Sequence, residues 1–277
     1  MKTRVRKAGL VSRTKKPRLK AVPEPPSSTP SNLMLFYRNV AVLSRDEHRG
    51  LKLKPVEGFA FAARTHCLPV AGAEFYQAAR CYPILFASEI KNGEREIVPI
   101  LLVGLDPGHN EYVNKALQWK VSAYLPAFVR RYPFVPAETP NKGSELTVCF
   151  DRDFEGFNEV EGQPLFNNDG SPSVLLSNAM QFMNWFNQEM ARNRHFVEAL
   201  VRLDLLDKRS AEIRSAAGDL FNLQDFLMVS EDKFAKLKAS DLASLHEAGF
   251  LGWIFAHLMS LGNLGMLFDM RQARRAH

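Results

Sequence analysis

Residues 119–134 read W-K-V-S-A-Y-L-P-A-F-V-R-R-Y-P-F, and residues 149–166 read C-F-D-R-D-F-E-G-F-N-E-V-E-G-Q-P-L-F. Together they hold the densest mixture of aromatic, basic, acidic and glycine residues in the chain. Pro126 excludes a long regular helix through the first segment, because proline removes a backbone donor and clashes with the preceding turn. Tyr132 precedes a proline, which favours an extended backbone there. The sequence therefore predicts a fold organised around these two segments.

The arginine pair of the first segment has two interpretations. Arg130 and Arg131, beside Tyr132 and Phe134, can grip a carboxylate or phosphate while stacking on aromatic rings. They can equally form an internal ion pair with the acids of residues 151–155. Both interpretations bring the two segments together. The candidate ligand- or partner-binding residues are Trp119, Arg130, Arg131, Tyr132, Phe134, Asp151, Asp153 and Glu155.

The acidic run of the second segment resembles half of a calcium-binding loop. Oxygen ligands alternate from Asp151, and a glycine permits the sharp turn, but Gly162 stands where the bidentate glutamate belongs. A different oxygen-rich metal site would draw on four acids: Asp151, Asp153, Glu155 and Glu159. An acidic turn that pairs with the two arginines is the favoured interpretation, because half a motif often arises by chance. Neither a metal nor another cofactor is expected.

Two further groups of residues suggest chemistry at first sight. Asp106, His109 and Glu111 are close enough for a metal or acid–base site, but D-P-G-H-N-E is also an ordinary turn, capped by the aspartate and otherwise solvated. The turn is favoured. His246 and His257 lie 11 residues apart, about three helical turns, so they can share a face. With no third ligand evident, core or capping roles are favoured for both.

Composition sets further bounds. A chain of 277 residues, 46% of them apolar, suffices for one large domain or two small ones. No run of about 18 apolar residues is present, which predicts no transmembrane segment. Three widely spaced cysteines favour buried thiols and a reducing compartment over a disulfide framework. The sequence contains no G-x-S-x-G, phosphate-binding loop, dinucleotide fingerprint or H-E-x-x-H motif.

The net charge of +6 is concentrated at the N-terminus. Residues 1–30 carry nine Lys/Arg and one acid, whereas the rest of the chain carries 27 Lys/Arg and 29 Asp/Glu. Residues 1–32 are basic and then rich in Pro and Ser, which predicts a disordered tail without an ordinary signal peptide. This tail either attracts an anionic partner or is a solvated extension, with Met34 as an alternative start.

Hydrophobic patterning predicts an α+β fold for residues 33–277, as a single domain. Mixed, mostly antiparallel β-structure is expected in the N-terminal two-thirds, packed with a helical C-terminal third. Predicted strands cover residues 33–43, 56–63, 82–87, 97–105, 145–150 and 164–166. A hairpin turn is expected at residues 91–94.

Helices are predicted from apolar residues at helical spacing. A short helix is expected at residues 70–79. A long one starts after Ser171, with Pro172 at its first position and a break near Asn193. Residues 204–218 are more polar, and helices follow at residues 230–237 and 240–261.

Several short motifs are similar to the SapC family of bacterial proteins. The similarity spans roughly residues 34–265 and is most specific at R-R-Y-P-F and G-x-P-L-F. The motifs that carry it are Phe36-Tyr37-Arg38, Ser44-Arg45-Asp46-Glu47-His48, Glu74-Phe75, Tyr82-Pro83-Ile84, Trp119, Tyr124-Leu125-Pro126-Ala127, Arg130-Arg131-Tyr132-Pro133-Phe134, Gly162-Gln163-Pro164-Leu165-Phe166, Leu245-His246 and Ala256-His257-Leu258.

The resemblance implies a family linked by name to bacterial surface (S-) layers. Relatives also occur in gene neighbourhoods with TonB-dependent receptors and flavin-dependent halogenase-like proteins. The family provides no agreed catalytic residues. The expected function is a non-enzymatic interaction or assembly protein of the cell envelope, cytoplasmic or peripheral to the envelope, with a protein partner. The alternative is a small-ligand-binding or enzymatic accessory protein of a modification system. Nucleic-acid binding ranks last, because it rests on the tail alone.

Overall fold

A computed structural model describes residues 35–91, 94–137, 147–214 and 220–276. In these ranges the strands form three antiparallel sheets. The strands are β1 (Val40–Val42), β2 (Lys52–Leu53), β3 (Cys67–Pro69), β4 (Ile84–Lys91), β5 (Glu94–Leu102), β6 (Phe134–Ala137), β7 (Thr147–Asp151), β8 (Phe157–Asn158), β9 (Gln163–Pro164), β10 (Leu206–Arg214) and β11 (Leu220–Val229).

The central sheet has five strands in the order β10-β11-β4-β5-β3. Its centre is the β4–β5 hairpin, in which Ile84 pairs with Leu101 and Phe86 with Pro99. The first four residues of β4 are all buried, so both faces of the strand are covered. This hairpin is the one that two apolar runs predicted, and the turn residues 92 and 93 lie outside the described ranges.

Two smaller sheets lie beside it. One has the order β1-β7-β6 and the other β8-β2-β9. In the first, Phe134 of β6 pairs with Phe150 of β7, so residues 119–134 and 149–166 are joined through neighbouring strands.

Helices make up most of the C-terminal part of the described chain. They are α1 (Phe75–Ala78), α2 (Ala127–Arg130), α3 (Val174–Arg202), α4 (Glu231–Phe234), α5 (Ala239–Glu247), α6 (Leu251–Ser260) and α7 (Asn263–Arg275), with 3₁₀ turns at Ala60–Ala62 and Gly72–Glu74. The predicted α+β fold, with a helical C-terminal third, is thereby confirmed.

The main hydrophobic core contains residues from both parts of the chain. Phe75 and Phe86 of the sheet region contact Phe196 of α3, and Phe196 contacts Trp253 of α6. A second, smaller core joins the two small sheets to the first half of α3 through residues such as Phe150 and Met183. The division into a tail at residues 1–32 and a single domain at 33–277 stays a prediction.

The long helix α3 differs from its prediction at its N-terminus and near Asn193. Its N-cap is Ser173, whose Oγ accepts from Leu176 N at 3.3 Å. Ser171 instead donates to Asp169 Oδ1 at 2.6 Å in the preceding turn. No break occurs near Asn193, because the buried Asn193 side chain uses its amide to donate to Val70 O at 2.7 Å. A weak helix former is thus held by a tertiary contact.

The strands differ from their prediction in three places. Residues 56–63 contain no strand; their 3₁₀ turn presents Phe61, which stacks on Tyr132 at 4.0 Å. Of residues 33–43, only Val40–Val42 is a strand in the part the structure describes. The polar residues 204–218 contribute β10, and the β10–β11 hairpin was not predicted.

The C-terminal helices also differ in their limits. The predicted helix at residues 240–261 is two helices, because Gly249 adopts a left-handed backbone (φ 73°) that ends α5. Helix α7 was not predicted. The helical stretch Leu251–Arg275 is long and apolar enough to cross a membrane by length and composition, and 44% of its most apolar window is buried. The core helices of globular proteins meet the same criterion.

Candidate functional site

A half-open groove lies where residues 130–134 face the first half of α3. Its volume is about 430 Å³. Residues 53–56 and Gln163 of β9 close two further sides. The wall from α3 has the spacing of one helical face and consists of Leu175, Asn178, Ala179, Phe182 and Met183.

The groove is apolar at its floor and basic at its edges. Leu53, Phe134 and Met183 of the floor belong to the smaller core. The basic side chains that line the groove are those of Lys54, Arg130 and Arg131. Among the residues that the structure describes, no acidic side chain lines it. Such a surface favours an anion with an apolar body.

Arg130 is fixed by several contacts at the rim. Its Nε donates to Leu125 O at 3.1 Å, and its Nη2 donates to Tyr124 Oη at 3.0 Å. Nη2 also lies 3.5 Å from Glu74 Oε1. The guanidinium stands over the Phe182 ring at 5.1 Å, and 39% of the side chain is exposed. Arg130 therefore stacks on an aromatic ring, but the ring is that of Phe182, whereas the sequence pointed to the neighbouring Tyr132 and Phe134.

Arg131 is buried behind the groove. Its guanidinium lies 4.1 Å from the Phe128 ring centre and 5.2 Å from that of Phe186. Burial lowers the pKa of Arg131, and a hydrogen bond with Tyr37 opposes that shift. Arginine still remains charged near neutral pH, so Arg131 is a cation in a region of weak screening.

Tyr132 connects the arginine segment to the acidic segment. Its hydroxyl donates to Asp151 Oδ2 at 3.1 Å. Asp151 is buried and also accepts the backbone N–H groups of Arg38 at 3.3 Å and Asn39 at 3.1 Å. Burial, together with the nearby carboxylate, raises the pKa of the Tyr132 phenol. Asp151 thus fastens the beginning of the described chain to β6 and β7.

The other acids of this segment lie away from the groove. Asp153 Oδ1 accepts from Asn39 Nδ2 at 3.0 Å, and Glu155 is exposed. The sequence favoured pairing of these acids with Arg130 or Arg131. At Arg130 this is wrong, because Arg130 pairs with Glu74. The sequence did not predict this contact, because the two residues are 56 positions apart.

The two remaining candidate residues differ in their accessibility. Trp119 is buried, and its Nε1 donates to Tyr82 Oη at 3.1 Å in the main core. Phe134 is also largely buried, but its ring lines the groove. The structure therefore brings Arg130, Arg131, Tyr132 and Phe134 together at the groove and places Trp119, Asp151, Asp153 and Glu155 elsewhere.

Glu74 is a residue of this site that the sequence analysis named in a family motif but not as a candidate site residue. Its side chain is only 3% exposed, and Oε1 accepts from Ala127 N at 2.6 Å and Tyr124 Oη at 2.7 Å. The second carboxylate oxygen accepts from Ala71 N at 3.3 Å. A lone acid within the apolar run V-A-G-A-E-F was the available signal, because a buried carboxylate needs partners.

Asp106, predicted to cap a solvated turn, instead belongs to a contact with the last helix. Its carboxylate pairs with Arg271 at 2.8 Å and also with Arg274 and Arg275, all from α7. Glu111, only 3% exposed, pairs with Arg274 at 3.0 Å. Burial opposes ionisation of Asp106, but hydrogen bonds from the arginines outweigh it and lower its pKa to about 2.

The two predicted helical histidines have unlike environments. His257 is buried; its Nε2 accepts from Val229 N at 3.0 Å, so Nδ1 carries the proton and donates to Ile84 O at 2.8 Å. Burial lowers its pKa to about 4. His246 is exposed on α5. Within the described ranges, no group of three or more His, Cys, Asp or Glu side chains is placed to hold a metal ion.

Comparisons with known proteins agree with the motif resemblance. The protein-family model named SapC matches residues 43–267, which include the groove, its arginine segment and the contacts of Glu74. No curated protein and no solved structure matches the chain. Because the matched region covers most of the sequence, the chain belongs to the SapC family.

Proposed function

We propose that this SapC-family protein is a non-enzymatic interaction protein of the cell envelope and that the groove beside Arg130 is its binding site. One observation carries the proposal: the R-R-Y-P-F segment forms the wall of a cavity of about 430 Å³. That volume lies within the range of about 300–1,000 Å³ that binding sites commonly have. The groove has basic edges and an apolar floor, which suits binding of a partner group that is anionic and partly apolar.

The partner proposed for this role is an envelope or surface-layer component. The link of the family name to surface layers supports this choice, and so does the basic N-terminal arm, which suits an anionic surface. The arm lies outside the described residues, so its part in the proposal rests on sequence alone. A location in the cytoplasm or at the periphery of the envelope is proposed with it.

Affinity capture from the native cell tests the proposal. The bait is the full-length chain, compared with a version starting at Met34 and with an Ala179→Phe variant, in which the larger ring fills the groove. Envelope proteins recovered at stoichiometric levels with the full-length chain, and lost with Ala179→Phe, are the expected result. Recovery that is unchanged by Ala179→Phe would show that the groove is not the binding site.

A second candidate is a small-ligand-binding accessory protein of a modification system. The concave shape of the groove favours it, because flat protein interfaces rarely need a cavity of this volume. An acid–base role is less well supported, since Asp151 and Asp153 make their hydrogen bonds away from the groove. Mass spectrometry of small molecules in the same captures distinguishes the candidates: a co-purifying metabolite without envelope proteins favours the second.

A further inference from the structure

We infer that the groove binds a small amphipathic anion, with an apolar chain or ring on the floor and a single acidic head at the Arg130 edge. The inference rests on the proposed function only in taking the groove as the binding site, and it names the chemical class of the occupant. It holds for either candidate function, because such a ligand can be a bound metabolite or a group that accompanies assembly.

The charge of the groove is the first argument. Lys54, Arg130 and Arg131 line it, and no carboxylate lines it within the described part of the chain. Glu74 neutralises part of the Arg130 charge, but it contacts Nη2 at 3.5 Å from behind the groove wall, and its side chain is 3% exposed. An anionic head is therefore attracted by the positively charged lining in a partly desolvated site.

The availability of donors is the second argument. The Nε and Nη2 atoms of Arg130 are used by Leu125, Tyr124 and Glu74, whereas Nη1 makes no hydrogen bond to the residues that the structure describes. The contacts hold the guanidinium in place, and the Phe182 ring supports one face of it. A preorganised donor loses little freedom when it binds an acidic oxygen.

Lys54 provides a second cation among the lining residues. Its Nζ pairs with Glu161 at 2.5 Å, and both side chains are well exposed, at 47% and 68%. Exposed pairs of this kind contribute little to stability, so the lysine can exchange its partner for a ligand at low cost.

The apolar floor indicates that the part of the ligand beyond its acidic head is apolar. Leu53, Phe134 and Met183 are buried side chains of the smaller core, and Leu175, Ala179 and Phe182 are half-buried along α3. A volume of about 430 Å³ suits an acyl chain or a pair of rings. Charge and floor together select an apolar acid over a phosphate ester of a sugar.

Fluorescence titration of the full-length protein tests the inference. The probe is 8-anilinonaphthalene-1-sulfonate, and its uncharged analogue N-phenyl-1-naphthylamine is the matched control ligand. We expect one sulfonate probe per chain, bound about tenfold more tightly than the neutral analogue. Decanoate should displace the probe, whereas decyltrimethylammonium at equal concentration should not. Equal affinity for the two probes would overturn the inference.

Two pairs of variants locate the site. Ala179→Phe should weaken binding of the sulfonate probe about tenfold or more, whereas Ala191→Phe, the same change elsewhere on α3, should leave it unchanged. Lys54→Gln should weaken the sulfonate several-fold without affecting the neutral analogue, whereas Lys236→Gln should change neither. Unchanged thermal unfolding confirms that each variant is folded. Probe binding that survives Ala179→Phe in a folded protein would place the site elsewhere.

The two experiments distinguish a failure of the inferred ligand class from a failure of the proposed function. If Ala179→Phe abolishes capture of envelope proteins but the wild type shows no preference for the anionic probe, the groove is a binding site and the ligand class is wrong. If the probe binds in the groove but capture is unaffected by filling it, the ligand class holds and the envelope role of the groove fails.

Discussion

Glu74 Oε1 accepts a hydrogen bond from Ala127 N at 2.6 Å, although 53 residues separate them. The same oxygen accepts from Tyr124 Oη at 2.7 Å. These contacts fix the start of α2, and α2 ends at Arg130, so a buried carboxylate outside the arginine segment sets the position of the arginine at the groove. The stretch that links Tyr124 to Arg130 is therefore held from behind by one side chain.

Removing this carboxylate is expected to destabilise the fold. Glu74→Ala leaves several buried donors without an acceptor, and we expect a loss of about 2–4 kcal/mol in the free energy of unfolding. Glu74→Gln keeps one acceptor oxygen and should cost about 1–2 kcal/mol. Urea denaturation measures both, with the exposed Glu198→Ala on α3 as a control that should stay within about 0.5 kcal/mol. A Glu74→Ala protein as stable as the control would show that the contacts contribute nothing.

The contact between Asp106 and α7 should depend on pH. Its pKa in the folded protein, about 2, lies below the unfolded value of 3.8, so the folded state binds the proton less readily. The stabilisation is therefore present above about pH 4 and is lost as the pH falls towards 2. Asp106→Asn should lower stability at pH 7, and its difference from wild type should shrink below pH 4.

Hydrogen exchange at α7 provides the matching measurement. Backbone amides of α7 should exchange faster in Asp106→Asn at pH 7, because the helix loses the partner of Arg271. Asp269→Asn, an exposed change on the same helix, should leave the exchange rates as they are. Equal protection in Asp106→Asn and wild type would contradict a role for Asp106 in holding α7.

His257 should make stability fall at mildly acidic pH. Because its pKa is about 4 when folded and 6.5 when unfolded, the unfolded chain binds more protons between these values. The free energy of unfolding should then decrease on acidification through this window, by at most about 1.4 kcal/mol per pH unit from this group. Burial also lowers the pKa of His66, which adds a contribution of the same sign.

Replacing His257 shows how much of this pH dependence of the free energy of unfolding comes from its side chain. His257→Phe leaves Val229 N and Ile84 O without their side-chain partners, and we expect a loss of about 2–4 kcal/mol at pH 7.5. The variant should show a flatter decline between pH 6.5 and 4, whereas the exposed His246→Phe should keep the wild-type slope. Identical slopes in the two variants would exclude titration of His257 as a cause.

The parts of the fold that were predicted correctly are those in which local pattern and tertiary role coincide. The β4–β5 hairpin consists of two apolar runs that are buried on both faces, and α3 carries apolar residues at helical spacing. The β10–β11 hairpin lacks such a pattern in its polar first strand. Residues 56–63 have the apolar content of a strand, but Phe61 stacks on Tyr132 and Phe59 contacts Trp119 instead of joining a sheet.

The candidate site was predicted in part for a related reason. R-R-Y-P-F is conspicuous by its composition, and all five of its residues line the groove. Its opposite wall belongs to α3, about 45 positions later, and no local pattern connects the two. The pairing of Arg130 with Glu74 likewise depends on a long-range contact, so a nearer acidic segment was the natural but incorrect choice.

The packing of α6 on the 3₁₀ turn should tolerate no side chain at Gly72. A Cβ added there would lie 2.0 Å from the Trp253 ring, so Gly72→Ala should cost about 1–3 kcal/mol through overpacking. Gly265 of α7 has no atom within 4 Å of such a Cβ, and Gly265→Ala should stabilise by about 0.5–1 kcal/mol. Thermal unfolding compares the two. A Gly72→Ala protein that melts like wild type would mean that Trp253 can move aside.

The basic arm makes a prediction about ionic strength that is independent of the groove. Residues 1–30 carry eight net positive charges, while the rest of the chain is nearly neutral, so long-range attraction to an anionic partner should come from the arm. Removing residues 1–30 should weaken binding to the captured partner at 50 mM salt and flatten its salt dependence, because screening acts on charges separated by more than about 8 Å at physiological ionic strength. Titrations at several salt concentrations measure the slope, and Ala179→Phe in the full-length chain is the control: it should lower affinity at every salt concentration and leave the slope unchanged. A truncated protein with the full-length slope would show that the arm takes no part in attraction.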